Sequence, residues 1–217
     1  MTLLSTRNLA KLPAPEVLLK RCRALVVIDA TRRLGRPLFR FDAQWDKGVM
    51  AGFFDDERGC QISIHFAGSG TAIKGCAEDA FMSPLSEPPF EPEHRAGLIA
   101  YPGVLRNVPE DLLSVISSTN QLRSLTLCVW RAKNDGRWQI GEITWPTNID
   151  DPDGSEDLFA IFAEEQDFSN WLTDLYQADF EPAALKHILE NCPLTDSFLS
   201  SVGSKRSLSE IKARLLE

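Results

Sequence analysis

Long apolar runs, paired cysteines and clustered histidines are all missing from this sequence. No apolar run approaches the roughly 18 residues that a membrane-spanning helix needs, and the first residues lack the pattern of a signal peptide. We therefore expect a cytoplasmic protein without a membrane anchor. The five cysteines never form a CxxC pair, and the three histidines are dispersed. This spacing argues against a disulfide framework and a local metal site, and no motif indicates a cofactor.

Basic residues are absent from one long stretch of the chain. Between Trp138 and Leu185 the sequence contains twelve Asp or Glu residues and no Lys, Arg or His. Residues 1–40 have the opposite bias, with nine Lys or Arg against two acidic residues, while the whole chain carries a net charge of −8. Carboxylates at this density repel one another unless positive charge lies near them. The N-terminal arginines and a basic partner are the two candidate sources of that charge.

The sequence that remains has the pattern of an α+β protein with a mainly antiparallel sheet. Its 217 residues and 43% hydrophobic content suffice for a sizeable core, and we expect a single domain over residues 1–217. Alternating apolar residues predict a sheet of about six strands. Four form a meander at 38–42, 49–54, 60–66 and 71–76. The other two form a hairpin within residues 122–145 that turns at Asn134-Asp135-Gly136.

Helices are predicted on both sides of this sheet. Pro15 opens a basic N-terminal helix, where a missing N–H group costs nothing, and a second helix follows Pro109. The C-terminal third is helical, with starts at Asp167 and at Glu181-Pro182. A capping box at Ser207 begins a short terminal helix within residues 205–217. Residues 82–107 are rich in proline and predict a long irregular crossing.

An acidic turn precedes the C-terminal helices. Asp153 or Ser155 is expected to cap a helix whose first turn is acidic, since the helix dipole favours carboxylates there. A calcium-binding loop is the alternative interpretation. Its first and twelfth positions would be Ile149 and Ala160, which have no side-chain oxygen to bind the ion. Helix capping is therefore favoured, and no metal site is predicted.

The charge asymmetry favours a non-enzymatic interaction protein. An acidic surface within residues 142–181 would bind a basic protein partner, because complementary charge steers association. An immunity protein that neutralises a basic toxin is one form of this function. The candidate partner-binding residues are Asp150, Asp151, Asp153, Glu156 and Asp157.

A small hydrolase-type enzyme is the first alternative. Ser63 and His65 share one face of the third predicted strand, and carboxylates from elsewhere in the chain could be assembled near them. The candidate carboxylates are Asp55, Asp56, Asp153 and Glu156. Because no orienting acid is evident beside His65, we favour a solvated polar face here and assign no catalytic residue.

Nucleic-acid binding through the basic N-terminal helix is the second alternative. A phosphate backbone would be repelled by the rest of an acidic molecule, so we favour pairing of these arginines with the acidic part of the chain itself. The residues concerned are Arg21, Arg23, Arg32, Arg33 and Arg36.

Four short segments resemble a family of uncharacterised bacterial cytoplasmic proteins. They are WDKG (Trp45–Gly48), YPGV (Tyr101–Val104), LCVWR (Leu127–Arg131) and DPDGSEDL (Asp151–Leu158). The resemblance extends over most of the chain. It implies a bacterial, intracellular, single-domain protein, and it implies no particular activity or catalytic residue.

Overall fold

A computed structural model describes residues 4–118 and 122–214. It confirms the predicted α+β fold, with a six-stranded antiparallel sheet, an N-terminal helix and several C-terminal helices. None of the helices within these residues is long and apolar enough to cross a membrane. The chain divides into two compact units. The sheet unit combines the segment that ends at Leu12 with Asp42–Phe159, and the helical unit combines Pro13–Phe41 with the segment that starts at Ala160.

Nine strands form two sheets within the residues that the structure describes. In chain order they are β1 (Phe39–Asp46), β2 (Val49–Asp55), β3 (Cys60–Ala67), β4 (Gly70–Ala77), β5 (Glu93–Arg95), β6 (Leu98–Ala100), β7 (Ser124–Leu125), β8 (Leu127–Ala132) and β9 (Gln139–Ile140). The main sheet has the order β1-β2-β3-β4-β8-β9, and the small sheet has the order β5-β6-β7. The first four strands confirm the predicted meander.

The helices begin near the predicted positions, except that the short helix at Asp196–Ser201 was not predicted. They are α1 (Pro15–Arg32), α2 (Glu110–Ser117), α3 (Ser155–Leu158), α4 (Glu165–Tyr176), α5 (Pro182–Leu189), α6 (Asp196–Ser201) and α7 (Leu208–Arg214), with 3₁₀ turns at Thr6–Lys11 and Phe159–Phe162. Pro15 is the first residue of α1. The capping box before α7 also forms, since the Ser207 backbone N–H donates to the Glu210 carboxylate at 2.7 Å.

The predicted hairpin forms, but its second strand is shorter than predicted. β8 and β9 pair only as far as Ile140. The next residue, Gly141, lies so close to the carbonyl oxygen of Gly103 that no side chain would fit there. The chain beyond it follows the turn at Tyr101, whose hydroxyl donates to the Thr144 carbonyl at 3.2 Å. Contact with this turn therefore replaces strand pairing.

The Pro-rich crossing contains more regular structure than predicted. Within residues 82–107, β5 and β6 pair as a short hairpin, with His94 opposite Ile99. Ala96 and Gly97 connect the two strands with φ angles of 51° and 76°. Two consecutive residues with positive φ are typical of tight hairpin turns. The Ala-Gly pair lacks the Asn or Asp that usually predicts such a turn, so this hairpin was not predicted.

The polar face of β3 is buried rather than solvated, which corrects the sequence-based interpretation. Ser63 and His65 have relative exposures of 2% and 0%. They lie on the face of the main sheet that α2 covers, where the apolar cluster includes Leu112 of α2 and Ala72 and Trp130 of the sheet. Alternation along the strand predicted which residues share a face, but α2 decides that this face is covered.

Candidate functional site

Lys74 lies at the centre of this buried face and holds the end of α2. Its ammonium group donates hydrogen bonds to the carbonyl oxygens of Ile116, at 2.7 Å, and Leu122, at 3.0 Å. The last carbonyls of a helix have no partner within the helix, and a cation is favoured at that end of the dipole. Burial lowers the pKa of Lys74 to about 8, so the ammonium form still predominates at neutral pH. Lys74 therefore has a structural role.

His65 and Ser63 form the polar pair that the sequence analysis identified. His65 Nε2 lies 3.1 Å from Ser63 Oγ, while His65 Nδ1 is buried without a hydrogen-bond partner among the described residues. Burial, and then the positive charge of Lys74, lower the pKa of His65 to about 3. The imidazole is therefore neutral at physiological pH and a weak base. The charged neighbour that affects His65 is a lysine, whereas a hydrolytic triad places a carboxylate beside the histidine.

The second buried polar site is the turn at residues 151–154, which we call the DPDG turn after its sequence. Asp153 is completely buried. Its Oδ2 accepts a hydrogen bond from the Thr6 hydroxyl at 2.5 Å, and its Oδ1 accepts one from the Ser155 N–H at 3.2 Å. Its backbone carbonyl accepts a third bond from the Thr126 hydroxyl at 2.6 Å. Asp153 thus joins three distant segments of the chain and is not a surface residue, which corrects its assignment to a partner-binding surface.

The turn also begins α3, as predicted, although by a different arrangement. Gly154 is the N-cap residue, with a φ of 70°, and it lies so close to Ala77 that an added methyl group would clash. Asp153 accepts from the first amide of the helix, and Asp151 accepts from the next, at Glu156, at 3.0 Å. Burial raises the pKa of Asp151 to about 6, although the bond from Glu156 opposes this shift.

The other predicted partner-binding residues remain accessible to different degrees. Asp150 and Asp157 are exposed, and Glu156 is half-buried. The guanidinium of Arg7 donates to the backbone carbonyl of Asp150 at 3.4 Å, and this bond does not involve the Asp150 carboxylate. Of the five predicted residues, the structure therefore presents Asp150 and Asp157 most openly.

Carboxylates from three segments of the sheet unit converge around Cys60. Burial, and then the negative charges of Asp56, Asp79 and Asp157, raise the pKa of the Cys60 thiol to about 12. Glu78 lies in the same place, because its backbone N–H donates to the Gly59 carbonyl at 3.0 Å. We call these carboxylates the acidic patch: Asp56, Glu78, Asp79 and Asp157. Its last three members are exposed, and Asp56 is half-buried.

The acidic patch shows neither the arrangement of a metal site nor a reactive thiolate. Within the residues that the structure describes, no group of three or more His, Cys, Asp or Glu side chains is arranged to hold a metal ion. A thiol with a raised pKa stays protonated at neutral pH, and the thiolate is the reactive form. What the patch can do is attract positive charge.

A shallow pocket of about 470 Å³ lies elsewhere in the sheet unit, within the Pro-rich crossing, between β5 and the turn that follows β6. Its polar side chains bind the chain itself. Glu93 accepts the Gly103 N–H at 2.7 Å, Arg95 donates to the Leu105 carbonyl at 2.5 Å, and Arg106 lies 3.7 Å from Glu142. These groups hold the turn in place, so the pocket is a weaker candidate for ligand binding than its volume suggests.

The arginines of α1 contact backbone and aromatic groups of the helical unit. Arg21 donates to the Ala163 carbonyl at 2.7 Å and lies 4.7 Å above the ring of Phe168. Arg32 does the same with the carbonyl of Asp179, at 3.1 Å, and the ring of Phe180, at 4.5 Å. Both carbonyls and both rings belong to the acidic stretch, so these two arginines serve the chain itself.

No protein-family model matches the chain, and no curated protein and no solved structure is detectably similar to it. The residues and their geometry therefore carry the whole functional argument.

Sequence reasoning found one member of the acidic patch as a partner-binding candidate and missed two. Asp157 was predicted to bind a partner, and Asp56 was considered only as a catalytic carboxylate. Glu78 and Asp79 were not identified. The pairing of Cys60 with Ala77 brings the end of β4 beside the β2–β3 turn. The predicted register of the meander was the signal that could have found them.

Proposed function

We propose that this chain is a non-enzymatic interaction protein that binds a basic protein partner through the acidic patch. The observation that supports the proposal best is the position of carboxylates from three separate segments around Cys60. The Cys60 N–H donates to Asp56 at 2.9 Å, and Cys60 pairs with Ala77, the residue before Glu78 and Asp79. Clustered negative charge raises the association rate of basic partners and discriminates against acidic ones. Neutralisation of a basic toxin by an immunity protein is the specific form of this function that we expect.

The hydrolase hypothesis receives less support from the same structure. Ser63 and His65 are in contact, but both are buried, and the low pKa of His65 leaves it a poor general base. Asp153, one of the candidate carboxylates, is engaged by Thr6, Ser155 and Thr126.

Nucleic-acid binding also receives less support. Arg21 and Arg32 are engaged by carbonyls and aromatic rings of the helical unit. A phosphate backbone would have to compete with these contacts. It would also approach a chain whose net charge is −8.

The test compares two triple variants with the same change in net charge. The first removes three patch charges by Glu78→Gln, Asp79→Asn and Asp157→Asn. The matched control removes three exposed charges of the helical unit by Asp174→Asn, Asp179→Asn and Glu181→Gln. Partners are captured from the native host's lysate with the tagged wild-type protein, eluted stepwise with salt and identified by mass spectrometry. The affinity of each purified partner is then measured for all three proteins.

We expect a basic protein whose affinity falls at least about tenfold for the patch variant and little for the control variant. The loss should shrink at high salt, because exposed charges are screened. An equal loss in both variants would reduce the effect to non-specific charge. An unchanged affinity in the patch variant would remove the acidic patch from the proposal.

A further inference from the structure

We infer that the acidic patch is one half of a composite docking surface. The other half is the apolar strip, which is formed by the exposed apolar residues Phe81, Leu85 and Pro89. This surface would bind a partner segment that combines basic with apolar side chains. This inference rests on the proposed function and specifies the chemistry of the partner. Three observations support it: the apolar side chains are exposed, their segment is fixed to the sheet unit, and carboxylates lie beside them.

The apolar strip exposes large hydrophobic side chains. Phe81 and Leu85 have relative exposures of 39% and 54%, and among the described residues they are two of the four large hydrophobic side chains that are exposed. Pro89 is also exposed, and Pro84 and Pro88 are half-buried. Single exposed hydrophobic residues are ordinary, but several of them along one short segment are typical of interaction sites.

The strip is fixed to the sheet unit by buried residues between the exposed ones. Met82 is fully buried, and its N–H donates to the Pro152 carbonyl at 2.8 Å. Ser83 is fully buried as well, and its hydroxyl accepts the N–H of Leu85 at 3.3 Å. A segment held in this way loses little conformational freedom when a partner binds, so less binding free energy is spent on ordering it.

The carboxylates lie directly beside the strip. Glu78 and Asp79 precede Phe81 in the chain, and the bond from Met82 to Pro152 joins the strip to the DPDG turn, which leads into Asp157. An apolar centre with a charged border is the common arrangement of protein interfaces, in which aromatic side chains supply much of the binding energy. The border here is acidic, so the partner segment must carry positive charge.

The charge selects the occupant. Nucleic acid is excluded by repulsion between its phosphates and the carboxylates. A second copy that met this surface with its own acidic patch, as a two-fold dimer requires, would oppose like charges. A segment of another protein with Lys or Arg facing Glu78, Asp79 and Asp157, and an apolar side chain covering Phe81, fits both halves.

Two synthetic peptides of equal length and equal lysine content test the inference. One alternates Lys with Leu, and the other alternates Lys with Ser. Fluorescence anisotropy measures their affinity for the full chain. The variants are Phe81→Ser/Leu85→Ser in the strip, Val17→Ser/Leu34→Ser as the matched control at exposed hydrophobic residues of the helical unit, and Glu78→Gln/Asp79→Asn in the patch.

We expect the wild-type and control proteins to prefer the Lys-Leu peptide by about tenfold, and the strip variant to lose that preference while it binds the Lys-Ser peptide unchanged. If the preference is absent, or survives in the strip variant, the inference is overturned while the proposed function stands. If the patch variant binds the Lys-Ser peptide as tightly as the wild type, the patch itself has failed. Sedimentation at two protein concentrations checks the self-association that would instead assign the strip to a second copy.

Discussion

The two buried polar sites of the sheet unit differ in how completely their polar atoms are hydrogen-bonded. Around Asp153, both carboxylate oxygens and the backbone carbonyl each accept a bond. Beside Lys74, the ring of His65 has a partner for Nε2, while Nδ1 is buried without one among the described residues. The comparison teaches that the DPDG turn is a structural junction in which the polar atoms of Asp153 are fully hydrogen-bonded. At the second site, Lys74 holds the end of α2, while one nitrogen of the neighbouring His65 has no hydrogen-bond partner among the described residues.

The largest effect on stability should come from removing the Asp153 carboxylate from the DPDG turn. Asp153→Ala removes the carboxylate that accepts bonds from the buried Thr6 hydroxyl and the buried Ser155 N–H, and we expect the free energy of unfolding to fall by about 3 to 4 kcal/mol. Urea denaturation measures the loss. Asp150→Ala, in the same turn but exposed, should change it by no more than about 0.5 kcal/mol. Equal losses in the two variants would mean that the buried network contributes nothing.

A smaller loss is expected from the second site. Lys74→Met keeps most of the aliphatic length but removes the donor to the Ile116 and Leu122 carbonyls, which should cost about 2 to 3 kcal/mol. Hydrogen exchange should show the greatest loss of protection at the C-terminal end of α2. The exposed Lys133→Met variant is the control and should behave like wild type. Loss of protection spread evenly over the unit would contradict the local role of Lys74.

Two glycines with nearly the same backbone conformation show how tightly the DPDG turn is packed. Gly154 and Gly48 have φ angles of 70° and 74°, but only Gly154 has a close neighbour, Ala77, where a methyl group would be added. Substitution by Ala imposes the same strain of positive φ on both. We expect Gly154→Ala to cost about 1 to 2 kcal/mol more than Gly48→Ala in thermal or urea unfolding. Equal costs would show that the turn can shift away from Ala77.

The smallest net effect is a dependence on pH, because the contributions of the two sites have opposite signs. His65 has a pKa of about 3 against an ordinary 6.5, so the unfolded chain binds the extra proton and stability falls as pH drops from 6.5 towards 3. Asp151 has a pKa of about 6 against an ordinary 3.8, so its contribution falls as pH rises through that range.

Comparison with a variant isolates the histidine contribution. Between about pH 7 and about pH 5, His65 should lower the free energy of unfolding of the wild type by about 2 kcal/mol. The His65→Gln variant should lack this part of the pH dependence, whatever its stability at pH 7. The same pH dependence in both proteins would show that His65 does not titrate in this range.

Much of the fold could be predicted, because strands and helix starts depend mainly on residues that are close together in the sequence. The alternation of Ile62, Ile64 and Phe66 identified a strand, and Pro15 identified the start of a helix. Burial of Ser63 and His65 was not predicted, because alternation does not reveal which face another element will cover.

The candidate site was less predictable because its contacts are distant in sequence. Asp153 resembled a surface carboxylate, since its partner Thr6 lies 147 positions away. The acidic patch was predicted only in part, because the pairing of β3 with β4 is what brings Glu78 and Asp79 beside the β2–β3 turn. Contacts of this kind depend on the assembled sheet and leave no local pattern.

The contact between Thr6 and Asp153 has a consequence for the order in which the protein is made. Thr6 leaves the ribosome long before Asp153 has been translated. Its hydroxyl therefore remains hydrated until nearly the whole sheet unit has been synthesised. Contacts between residues so far apart in sequence form slowly, because a long loop has to close first. We therefore expect the contact between Thr6 and Asp153 to form in one of the last steps of folding, after the main sheet has assembled.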